Sequence, residues 1–253
     1  MTHIILTHAI VILGLLIAPT AQSSPFDEFI RQGDVHDQAF EPDNALSYYL
    51  KAERLAPDNA SLLVKMARQH VYRMDDLQQK TDKKEAARRA LAYAQRAVAA
   101  APETGDPHLS VAICYGKLTP LVGTREQINI SSKLKAAAEK ALQYDPQNDY
   151  AWHLLGRWHQ TLAGVGGIKR SIAKLVYGGL PKASYDEAVK CFKRAIKLKP
   201  NRLIHPLELG RTYTAMERER EARAWITKAL DMPETEKDDP ETKRRGRETL
   251  NSL

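Results

Sequence analysis

The chain has 253 residues, 43% hydrophobic but only 7% aromatic, which is enough apolar material for a core. With 38 Lys and Arg against 31 Asp and Glu its formal charge is +7, a balance that draws acidic peptides, anionic lipid or nucleic acid through a screened field. The basic residues are not interleaved with aromatics as a base-stacking surface requires, which argues against nucleic acid, and Cys114 and Cys191 are too few for a disulfide-stapled scaffold and lack metal spacing.

The chain opens on an apolar segment, Ile4 to Ala18, with no charged side chain, followed by small residues at Ala21-Gln22-Ser23 that suit a signal peptidase. Its apolar stretch falls short of the roughly 20 residues that span a bilayer comfortably. Residues 1–23 are therefore predicted to be a cleaved export signal, with a retained N-terminal anchor as the alternative. The positively charged n-region of a usual signal is missing, because only His3 and His8 stand there. Export would place the remaining chain in the periplasm or outside the cell.

Residues 24–253 read as one helical domain built from a recurring pattern. Helical runs carry stripe residues at i, i+4 and i+7 and then close on a proline: Ala45, Tyr49, Ala52 and Pro57; Ala90, Ala94, Ala97 and Pro102; Leu134, Ala138, Ala141 and Pro146; Ala188, Phe192, Ala195 and Pro200. A fifth run, Ala222, Ile226 and Ala229, closes near Pro233. Upstream of each lies a second helical pattern with a small residue at its centre, namely Gly33, Ala67, Ala112, Gly156 and Gly210. An aromatic or histidine follows each: His36, His70, Tyr115, His159 and Tyr213. Paired helices with small residues where they cross are the signature of the tetratricopeptide repeat, whose units bury their apolar faces only by stacking. Alanine runs such as Ala86-Ala87 and Ala99-Ala100-Ala101 favour the same reading. The predicted fold class is all-α, a tetratricopeptide-repeat-like α-solenoid of about five helix hairpins with no sheet.

The period breaks where residues have been added. From the small residue of the first helix to the first stripe residue of the second, repeats one and five span 12 positions, whereas repeats two, three and four span 23, 22 and 32. The additions fall between the two helices of a hairpin and project from one edge of the stack. Asp106-Pro107 reads as the start of the third repeat, and Ser184 with Glu187 as a capping box in the fourth. Asp239-Pro240-Glu241 reads as the start of a last, basic helix that covers the open end.

The stretches Ala112-Ile113-Cys114-Tyr115-Gly116, Trp152-His153-Leu154-Leu155-Gly156-Arg157-Trp158, Val176-Tyr177-Gly178-Gly179-Leu180-Pro181 with Ala183-Ser184-Tyr185-Asp186-Glu187-Ala188, and Glu221-Ala222-Arg223-Ala224-Trp225 resemble the regulator of microtubule dynamics family. The resemblance runs over roughly residues 85 to 250 and includes the large fourth-repeat insertion. It implies a helical repeat domain without known catalysis, in a family whose eukaryotic members associate with microtubules and spindle poles or sit on organelle membranes. The apolar N-terminus departs from that pattern, since an exported protein would not meet microtubules.

Catalytic signals are weak. Gly164 to Ser171 has the composition of a phosphate loop, but Ile168 separates glycine from lysine and no strand precedes it. His153 and His159 are six apart and lie on different helix faces, and no hydroxyl or thiol sits in a nucleophile elbow. No enzyme activity, cofactor or metal is expected. The sharper candidates are Arg68, Arg157 and Arg211, each following the small residue of a first helix, where a stacked solenoid presents them to its inner groove. Guanidinium forks there suit carboxylates, so the expected partner is a protein or peptide segment of acidic character. The alternative is that these arginines pair with acidic residues of neighbouring helices. Residues 168–177 form a short basic amphipathic stretch, with Ile168, Ile172, Leu175 and Val176 on one side and Lys169, Arg170 and Lys174 between them. It suits a membrane surface or a partner helix, although packing against its own protein is the favoured reading.

Overall fold

In a computed structural model, which describes residues 24–177 and 179–253, the predicted hairpins follow one another in order and no strand occurs among the described residues. The expected export signal or anchor at 1–23 lies outside the described residues, and within them no helix is long and apolar enough to cross a membrane. The hairpins are α1 (Pro25–Gln38) with α2 (Pro42–Leu55), α3 (Ala60–Asp76) with α4 (Lys80–Ala100), and α5 (Gly105–Leu118) with α6 (Thr124–Tyr144). In the fourth, α7 (Asp149–Ala163) is followed by an inserted α8 (Gly167–Tyr177) before α9 (Tyr185–Leu198) completes the pair. The fifth joins α10 (Ile204–Ala215) to α11 (Glu219–Leu230), and α12 (Asp239–Asn251) packs on both as the predicted end cap.

Local chemistry sets the helix starts. Ser24, Asn59, Asn148 and Ser184 each accept a hydrogen bond from the backbone N–H three residues on, satisfying a donor that the first turn leaves free. Asp106 does not cap α5, which begins two residues earlier than expected, at Gly105 after Thr104. The two uninserted hairpins turn through single residues in the left-handed region, Phe40 and Glu217, both at φ 58°.

The hairpins interlock through the small residues of the pattern. A Cβ on Gly33 would overlap the Tyr49 ring, one on Gly156 would stand 2.8 Å from the Phe192 ring, and one on Gly210 2.6 Å from Ile226 Cγ1. In the first, fourth and fifth hairpins the middle stripe residue of the second helix thus occupies the space that its partner helix leaves open, and Tyr49, Phe192 and Ile226 are fully buried. Between repeats, α3 packs on α5, α5 on α7, and α7 on α10, while no comparable packing joins successive second helices among the described residues. The first helices therefore converge and form the inner wall of the curve.

The insertions are more helical than their length alone suggests. In the second and third repeats they extend α3, α4 and α6, leaving short turns at residues 77–79 and 119–123. No glycine or proline falls between Pro57 and Pro102 to stop α3 or α4. In the fourth, α8 is fastened by buried Ala173 and by Arg170, whose guanidinium donates to the Leu162 carbonyl at 2.7 Å. Ile168, Leu175 and Val176 are 82%, 87% and 59% exposed, so the expectation that this face packs against its own protein fails for them. Cys114 and Cys191 are both buried and free, packed in separate clusters.

Candidate functional site

The inner wall is stitched by polar pairs between successive first helices. At the N-terminal end, Asp34 of α1 pairs with Lys65 of α3 and accepts the Tyr49 hydroxyl at 2.7 Å. One turn on, buried Asp37 receives Arg68 and also the Gln69 amide at 2.8 Å. At the other end, Asp149 of α7 holds Arg202 and accepts from His205 Nε2 at 2.8 Å. Gln160 reaches across to Thr212 Oγ1 at 3.0 Å.

The strongest cluster centres on Glu208 of α10, whose side chain is 1% exposed. Its carboxylate takes Arg157 of α7 and, at 2.9 Å, Arg211 of its own helix, while Arg245 of α12 approaches to 3.7 Å. Burial alone would raise the Glu208 carboxyl, but Arg157, Arg211 and Arg245 overcome it and hold the group below the usual carboxylate range. The arginine side chains remain 31–36% exposed, so their outer edges face solvent. Beside them lies a cleft of about 260 Å³ lined by Gln160, Tyr185, Arg211, Thr214 and Thr249.

Of the three predicted binding arginines, the structure brings Arg157 and Arg211 together on one carboxylate and leaves Arg68 at the other end of the wall. All three pair with acidic residues of the first helices: Arg68 and Arg157 with one on a neighbouring helix, the alternative that the sequence left open, and Arg211 with Glu208 of its own helix. Arg245 and Arg202 escaped the sequence reading because one sits in the cap and the other in the turn before α10. Their basic character is visible in the sequence, but their place on the inner wall depends on contacts across at least 34 positions.

Two imidazoles meet in the same wall. Because the Asp149 carboxylate only accepts, His205 Nε2 carries the proton, leaving its Nδ1 to accept from His153 Nδ1 at 3.1 Å. Burial pushes both rings below the ordinary histidine range, His153 far below it. His70, stacked on Tyr93 with centroids 5.4 Å apart, is pushed down to about 4, by burial first and then by Arg73 and Arg89. Each ring favours the neutral form on folding, so its contribution to stability is complete above the unfolded value near 6.5 and is lost as pH falls from there to the folded value. Urea unfolding is therefore expected to show stability decreasing from pH 7 toward pH 5. In His70→Phe the slope should lessen across that window, by up to about 1.4 kcal/mol per pH unit near its acid end; an unaltered slope would count against a buried neutral ring. Among the described residues no group of three or more His, Cys, Asp or Glu is placed to hold a metal ion.

Comparison with known proteins agrees with this architecture. The chain is 29% identical over 236 residues to regulator of microtubule dynamics protein 1 of Bos taurus, covering 92% of this chain and 74% of that protein. With the Homo sapiens protein of the same name it shares 30% identity over 165 residues, 65% of this chain and 52% of the relative. Among solved structures, a thermophilic TPR protein of Thermus thermophilus superposes with a TM-score of 0.67 at 18% identity, covering 89% of this chain and 99% of that one. MamA from Desulfovibrio magneticus RS-1 gives 0.53 at 13% identity over 84% of this chain and 97% of the other; both are likenesses of fold. The profile of the family described as "Regulator of microtubule dynamics protein 1-3" matches residues 27–253, and the chain belongs to that family.

Proposed function

We propose that this protein is a non-enzymatic scaffold whose inner wall binds an extended acidic segment of a partner protein. The observation that carries the reading is the Glu208 cluster: three guanidinium groups converge on one buried carboxylate, presenting more positive charge at the groove than that carboxylate offsets. Arg157, Arg211 and, nearer the first repeat, Arg68 each hold an internal carboxylate with part of the fork and keep exposed edges for a ligand. If residues 1–23 act as a cleaved signal, the partner is met outside the cytoplasm.

Replacing Arg157 and Arg211 together by lysine keeps the charge beside Glu208 but removes the planar forks. Fluorescence anisotropy with a labelled oligoglutamate peptide is expected to show affinity about tenfold weaker in this variant, with the thermal midpoint close to wild type. Equal affinity in the two proteins would refute a groove built on these arginines. The names of the relatives favour a second reading, a microtubule-associated regulator. Co-sedimentation with polymerised tubulin at low salt separates it from the first.

A further inference from the structure

The stretch between α11 and α12 does not run along the outside of the stack. It crosses the inner wall from the fifth repeat back to the second, placing Lys237 against residues 161 and 165 positions earlier in the chain. Lys237 Nζ donates to the Tyr72 carbonyl and to Asp76, each at 3.1 Å, and lies 5.7 Å from the Tyr72 ring centroid. The residues on either side reach other first helices or their entry turns. Glu236 accepts from Arg202 Nε at 2.7 Å, and Asp238 stands 4.0 Å from Lys117 of α5. Tyr150 lies under the same stretch, its hydroxyl pushed up by burial and further by Asp238 and Glu236.

The segment is held at both ends and polar in the middle. Met232 packs beside Leu203, Leu207 and Ala229. Buried Asp239 accepts from the backbone N–H groups of Thr235 and Glu236, both at 2.8 Å, which fixes the path just before α12. Between these anchors Pro233-Glu234-Thr235-Glu236-Lys237-Asp238 offers no large apolar side chain to the wall. It meets the wall through single ion pairs and one amine-to-carbonyl bond, contacts that individually contribute little where water reaches them.

We propose that Pro233–Asp239 is an internal occupant of the partner groove, and that the groove takes a partner segment with the same acid–base–acid alternation, which displaces it. The wall supplies the complement in order: Arg202 for the first acid, Asp76 with the Tyr72 carbonyl for the base, and Lys117 for the second acid. This rests on the scaffold reading and adds Arg202 and Lys117 to its recognising cations. Because the internal segment is tethered, its effective concentration is high, and an external segment competes at a disadvantage until those contacts are removed.

The test uses the full chain and a fluorescein-labelled peptide copying residues 231–240. In the triple variant Glu236→Gln, Lys237→Gln, Asp238→Asn, anisotropy is expected to report affinity for the peptide at least tenfold tighter than in wild type. Adding Lys117→Gln and Arg202→Gln to that variant should abolish the gain. Hydrogen exchange should show faster exchange at Tyr72–Asp76 in the triple variant and recovered protection when peptide is added. Equal affinity in wild type and triple variant, or a gain that survives the loss of Lys117 and Arg202, overturns the proposal. If the triple variant gains nothing while oligoglutamate still binds through Arg157 and Arg211, the internal-occupant idea alone falls. If neither peptide binds any of these proteins, the scaffold reading falls with it.

Discussion

Glu208→Ala is expected to destabilise the protein by about 3–5 kcal/mol, because it leaves the guanidinium groups of Arg157, Arg211 and Arg245 packed together without the carboxylate between them. At about 2–4 °C per kcal/mol for a chain of this size, the thermal midpoint should fall by roughly 6–20 °C. Glu208→Gln keeps an acceptor in place and should lose less, about 1–3 kcal/mol. Glu85→Gln, which removes an exposed partner of Arg89 on α4, should leave the midpoint close to wild type. A Glu208→Ala protein within about 1 kcal/mol of wild type would mean that the buried charge neither organises the wall nor strains it when removed. The ordering matters for the proposed function, since the same carboxylate holds Arg157 and Arg211 in register.

Phe192→Ala is expected to cost a similar amount, about 3–5 kcal/mol, for an apolar reason. The ring is fully buried between Gly156 and Leu209, with the His153 ring edge-on at 5.3 Å, so it joins the fourth repeat to the fifth. Facing it is a glycine, which has no side chain to move into the vacated space, and the cavity persists. Stability in stacked repeats is a sum of local and nearest-neighbour terms, so the loss should concentrate at this boundary. Urea unfolding should then split, with the C-terminal repeats melting before the first three. A small cooperative shift of the whole transition would show that the fourth and fifth repeats do not depend on this ring.

The fold was legible because its determinants are local and periodic. Gly33 lies beneath Tyr49 and Gly210 beneath Ile226, and in these two uninserted hairpins both partners can be read at the same spacing. The lengthened α4 and α6 were legible as added residues but not as helix, although the absence of glycine and proline from 58 to 101 carries that signal for α4. The candidate site was legible only in part. Arg157 and Arg211 mark the wall by position, yet Glu208 carries no pattern that reveals it as the partner of an arginine 51 residues earlier. Lys237 is a lysine in an acidic linker until the stack folds the second repeat beneath it. Charge pairing across a solenoid depends on its curvature, and curvature is a property of the assembled stack rather than of any one repeat.

The path of Pro233–Asp239 across the hollow also has a mechanical meaning. Helical stacks of this kind behave as springs, lengthening and shortening through small rotations at every joint. A cord tied from the last joint to the second removes that freedom, as a string sets the bend of a bow. Cutting the three charges that tie it should let the coil relax to a longer, more open form, seen as a larger radius of gyration in small-angle scattering.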